Sequence, residues 1–241
     1  MTPELSNVGF LSKFGFSKKG GLILLGYLVL ASLSLLLEYI DARLIGYVIR
    51  ISSEGLLVFW MIKIAKLTIL NPGVLILLFY IFADILNLVF AKTIDLHRWV
   101  PELLAKTIFL FFIIDHTQRL DFRKLSTVIA FVLPILCLSV PAFLFFEPYF
   151  SESNYLAMLL FSLNNGFIIS FAYFFKSKKE VFPHATIYLA CFLAITEFIG
   201  ASHIIDESFK PLVLLFFGFY LLSKLLIAVY FVNFKRRKLG V

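Results

Sequence analysis

Two acidic residues lie deep inside apolar stretches of this chain. Asp84 sits midway through NPGVLILLFYIFADILNLVFAK (71–92), and Glu197 sits late in the apolar run that opens at Pro183. A charged side chain at the centre of a bilayer-spanning helix costs about 2.5–3.5 kcal/mol on insertion scales, so such residues face a bundle interior, a partner or a water-filled cavity. Two carboxyls facing one cavity can act as general acid and general base. Asp84 and Glu197 are therefore the candidate catalytic residues, in an order that the sequence leaves open.

Other polar side chains fall at similar depth. At the helical rise of 1.5 Å per residue, Asp84 and Glu197 come out roughly 17–21 Å from one membrane side, and Asn164, Asn165 and Lys224 roughly 14–17 Å from the same side. Asn87 follows Asp84 by three positions and Tyr220 precedes Lys224 by four, so each pair shares a helix face. Asn87, Asn164, Asn165, Thr196, Tyr220, Lys224 and His116 are the candidate substrate-binding residues. Polar groups in helical bundles also bond to one another as structural glue, and a salt bridge from Lys224 to either acid is the form that reading takes. His116, beside Asp115 and Arg119 at a helix end, is equally well explained as a solvated histidine.

The elements that must position these groups are membrane helices. The chain has 241 residues, 61% of them hydrophobic, with a mean hydropathy of +0.97, and its apolar residues come in long blocks. That excludes an ordinary soluble domain. Continuous rather than alternating apolar blocks favour helices over a barrel. The expected fold is all-α, a polytopic membrane protein of about eight transmembrane helices. Residues 1–20 form an N-terminal tail, 21–234 the membrane domain and 235–241 a basic tail. The spans fall near 21–37, 53–70, 73–91, 101–115, 125–146, 154–175, 183–202 and 211–234. Glu38, Asp41, Arg43 and Arg50 are assigned to a connector after the first span, part of it an interfacial helix. Asn71-Pro72 marks a turn, and Pro134 and Pro141 are potential kinks in the fifth span.

Charge orients the bundle. Alternate connectors collect fifteen Lys and Arg on one side against six on the other, which puts both termini in the cytoplasm. Lys63 and Lys66 snorkel to that interface. The net charge of +7 gathers at segment ends without interleaved aromatics, so no nucleic-acid partner is expected. Cys137 and Cys191 lie in apolar runs with no metal-ligand spacing around them; no metal, cofactor or disulfide is implied. Oligomeric state is left open.

Several motifs together resemble the YhhN family of lysoplasmalogenases. Ala83-Asp84-Ile85-Leu86 stands where that family has Gly-Asp in its third helix. Phe112 and His116 correspond to a Phe followed by a His in the fourth. Leu193-Ala194-Ile195-Thr196-Glu197 resembles the Phe-x-x-Ser-Asp element of the seventh, and Tyr220 to Ile227 matches the Tyr-x-x-Ala-Gln-x-Leu-Ile frame of the last. Ala83, Glu197 and Lys224 depart from the family's Gly, Asp and Gln. The resemblance implies an integral enzyme of the bacterial inner membrane that hydrolyses the vinyl ether bond of a lysolipid. Proton delivery to the alkene carbon would create an oxocarbenium ion, which water traps, with the two acids sharing the work as in glycoside hydrolysis.

Three other classes use the same residues. A lipid or solute transporter would place its site at mid-membrane, with Asn164-Asn165-Gly166 interrupting a helix. A retinal-type protein would use Lys224 as a Schiff base with Asp84 as counter-ion, although eight spans and the absence of a surrounding signature count against it. A partner subunit without chemistry would need the polar layer only for assembly.

Overall fold

The computed structural model describes residues 18–40, 42–90, 96–117, 119–145, 152–175, 184–205 and 210–238. Its helices are α1 (Lys18–Tyr39), α2 (Arg43–Phe59, prolonged by a π turn over Trp60–Ile64), α3 (Pro72–Val89), α4 (Leu96–His116), α5 (Leu125–Phe145), α6 (Glu152–Tyr173), α7 (Ala185–Ile205) and α8 (Lys210–Lys238). Among the described residues the only non-helical pairing is an isolated bridge between Thr117 and Phe175. Among the described residues, six helices, α1, α2, α3, α5, α6 and α8, are long and apolar enough to cross a membrane. The chain is thus a multi-pass helical membrane protein. Residues 1–17 of the N-terminal tail, residues 147–151 of the loop after the fifth span, the Lys176 to Lys179 cluster and the Asp206-Glu207 turn lie outside the described residues.

Consecutive helices pair as hairpins, α1 with α2, α3 with α4, α5 with α6 and α7 with α8. Helix α8 also packs against α1, α2 and α3, and α6 bridges α4 and α7. Helix α5 packs mainly on α6 and turns Leu133, Leu136, Val140 and Phe143 outward. Gly166 of α6 permits that contact, since a Cβ there would lie 2.6 Å from the Cα of Ile135. Close backbone approach through small residues is the usual basis of helix association in lipid. Next to Pro134, the Ser170 hydroxyl of α6 reaches the Phe131 carbonyl at 2.6 Å.

The Asn71-Pro72 signal is realised as a helix start. The Asn71 side chain accepts the Gly73 N–H at 3.0 Å and Pro72 occupies the first helical turn, where its missing N–H costs nothing. The same end of the bundle is closed by aromatic packing of Phe109, Phe112, Phe175, Tyr230, Phe231 and Phe234. Lys66, at a φ of 58°, presents its carbonyl to the Lys235 ammonium, which joins the ends of α2 and α8.

Helix α2 corrects the expected boundary, starting at Arg43, four residues after α1 ends at Tyr39, and not at residue 53. Its amphipathic pattern is inside out. Gly46, Arg50, Ser53, Glu54 and Leu57 form the buried stripe, while Leu44, Ile45 and Val48 face outward. In water such a pattern reads as an interfacial helix. In a bundle surrounded by lipid the polar stripe points at the other helices, because only there does it find partners.

Candidate functional site

The polar residues fall into two clusters. The first is built by α2, α3 and α8, with two residues a helical turn apart on each: Arg50 and Glu54, Tyr80 and Asp84, Tyr220 and Lys224. The Lys224 ammonium touches Glu54 and lies 3.2 Å from Asp84 Oδ2. The Arg50 guanidinium lies 3.3 Å from Asp84 Oδ1 and 3.4 Å from Glu38 Oε1 on α1. The result is a ladder of alternating charge, Glu38, Arg50, Asp84, Lys224, Glu54, with every member buried.

Aromatic faces complete the cationic rungs. Lys224 Nζ is 3.4 Å from the Tyr220 ring centroid and 5.1 Å from that of Tyr80. The Arg50 guanidinium lies 4.1 Å from the Tyr47 centroid and 4.8 Å from that of Phe217. Desolvating an ion costs several kcal/mol unless geometry and hydrogen bonds offset it, and cation–π contacts contribute about 2 kcal/mol when desolvated.

The second cluster joins α4, α6 and α7. Lys106 of α4 contacts the Glu197 carboxylate of α7 and donates to Asn165 Oδ1 at 3.2 Å, while the Asn165 amide donates to the other Glu197 oxygen. Asn164 donates to Thr107 Oγ1 at 3.4 Å. This cluster borders a recess of about 20 Å³ lined by Leu138, Met158, Ser162, Asn165, Ala194, Glu197 and Phe198, enough room for about one water molecule. Phe198, which lines the recess, is exposed on the apolar surface. Glu102, one turn before Lys106, is buried and interacts electrostatically with Lys106, Tyr80 and Tyr220, which sets it between the clusters.

The expected meeting of Asp84 and Glu197 in one pocket does not occur. Among the described residues Asp84 is held by Arg50 and Lys224 and Glu197 by Lys106, and α3 packs mainly on α2, α4 and α8 while α7 packs mainly on α6 and α8. The carboxyl that shares a partner with Asp84 is Glu54. The glue reading of Lys224 matches its salt bridge to Asp84. Tyr220 stacks on Lys224, whereas Asn164 and Asn165 lie on an unbroken α6, not at an interrupted helix, with Asn164 bonded to Thr107 and Asn165 to Glu197. Thr196 is buried and bonds back to the Phe192 carbonyl at 2.9 Å. Asn87 is half-buried and contributes to neither cluster among the described residues. His116 belongs to the aromatic end, its Nδ1 2.9 Å from the Phe112 carbonyl and its ring beside Phe112, Phe175 and Phe234.

Glu38, Arg50, Glu54, Glu102 and Lys106 are the members that sequence reasoning missed. The signal was the i,i+4 spacing of Arg50 with Glu54 and of Glu102 with Lys106, which places opposite charges on one helix face. No known protein family, curated protein or solved structure matches the chain.

Proposed function

We propose that the protein crosses the membrane eight times with both termini cytoplasmic, and acts on an amphipathic lipid at the Lys106–Asn165–Glu197 recess, as a lysoplasmalogenase-like ether hydrolase. One observation carries the reading: Glu197, in direct contact with Lys106, lines a largely apolar recess whose wall includes Phe198, a residue exposed on the apolar surface. A water-soluble solute gains nothing from such a wall, whereas an acyl or alkenyl chain can approach along Leu138, Met158 and Phe198. In this form the Lys106 ammonium delivers the proton to the alkenyl carbon and Glu197 takes one from the attacking water. The hemiacetal then collapses to a fatty aldehyde and a glycerophospho-base. Asn165 holds the Glu197 carboxylate in place, and Asp84 belongs to the scaffold.

The test is aldehyde release from an alkenyl lysophospholipid by the protein in proteoliposomes. Glu197→Gln and Lys106→Gln should each abolish it, while Asp84→Asn should lower the yield of folded protein but spare turnover per folded molecule. Release no faster than in protein-free vesicles overturns the hydrolase. A transporter is the second reading, favoured by the buried ladder from Glu38 to Glu54, since ionisable residues inside membranes often mark ion pathways. Substrate flux into vesicles without conversion would select it.

A further inference from the structure

The first cluster contains an arrangement that its salt bridges do not explain. Glu54 is fully buried, one of its oxygens engages Lys224, and the other, Oε2, has no hydrogen-bond donor among the described residues. A buried polar atom without a partner calls for an explanation. The Tyr220 hydroxyl, also buried, is likewise without a partner among them. The Asp84 carboxyl shares the Lys224 ammonium with Glu54, so two buried carboxyls converge on one cation. Carboxyls brought this close raise one another's cost of ionisation, as in paired-aspartate sites where like charges do not both ionise.

We propose that Glu54 and Asp84 form a proton-binding site, holding one proton between their carboxyls at mid-membrane depth. The groups that face the pair are Tyr27 and Glu38 of α1, Tyr47 and Arg50 of α2, Tyr80 of α3, Glu102 of α4, and Tyr220 and Lys224 of α8. Arg50 and Lys224 occupy Asp84, so the proton resides chiefly on Glu54, where Oε2 is open to it. Its departure would leave two adjacent carboxylates around one ammonium, which draws α2, α3 and α8 together through Lys224. The site is separate from the lipid recess and does not depend on the hydrolase reading.

Infrared spectroscopy of the lipid-reconstituted protein at neutral pH tests this directly. The wild type should show the C=O stretch of a protonated carboxyl, with the small downshift expected on transfer to deuterated water. Glu54→Gln and Asp84→Asn should each remove it, because the remaining acid then faces cations alone. The glutamine variant mimics a protonated glutamate in shape and should fold. A wild-type spectrum without the band overturns the proposal and needs no variant. A band that survives unchanged in both variants overturns it too, since the proton then sits elsewhere.

Discussion

Replacing Lys224 with Met probes the most deeply buried rung of the ladder. The side chains of Lys224, Glu54 and Asp84 are 0%, 0% and 2% exposed, so no water can substitute for the lost ammonium. Removing one partner of a buried ion pair costs about 3–5 kcal/mol, because it leaves an uncompensated charge. Methionine fills a similar volume, so packing loss adds little. For chains of 150–250 residues each kcal/mol moves the unfolding midpoint by about 2–4 °C, which makes the expected drop about 6–20 °C. Thermal unfolding in detergent, followed by the fluorescence of Trp60, which is itself fully buried on α2, provides the assay. Adding Glu54→Gln to Lys224→Met should recover part of the loss, because Asp84 keeps Arg50 whereas Glu54 is the acid left without the cation that contacts it. A Lys224→Met midpoint within about 2 °C of wild type, below about 1 kcal/mol, would refute the claim that the ladder is desolvated.

Further outcomes follow from the same geometry. Lys106→Met should cost less than Lys224→Met in the same melt, because Asn165 still donates to Glu197 and the adjoining recess has room for about one water molecule. Gly166→Ala forces a Cβ against the Ile135 backbone and should lower stability by about 1–3 kcal/mol, the usual cost of overpacking. Asn71→Ala removes the α3 cap and should cost about 0.5–2 kcal/mol. If the proposed topology holds, reporter fusions at the two termini should both read cytoplasmic, and a periplasmic reading at either end would overturn it.

How much of this was legible in the sequence depended on which physical rule dominated. Apolar blocks announced membrane helices, and Asn71-Pro72 announced the start of α3, because both signals are local. The depth of Asp84 and Glu197 could also be counted along their helices. Rotation about the helix axis, which decides which acid meets which cation, cannot be counted in this way. Equal depth therefore suggested a pair that the packing of α3 and α7 does not make. Arg50 and Glu54 escaped because an inside-out helix carries the charge pattern of an interfacial one. Lys106 escaped for a related reason, being tallied as a flanking charge near a membrane face.

The central claim is that the two intramembrane acids belong to separate ion clusters, and a double-mutant cycle between Asp84→Asn and Glu197→Gln tests it most directly. Sites without shared partners should be additive within about 0.3–0.5 kcal/mol. The structure predicts additivity for this cycle, alongside clear coupling in the Asp84/Lys224 and Glu197/Lys106 cycles. A coupling energy above about 1 kcal/mol between Asp84 and Glu197 would place them in one site and contradict the account.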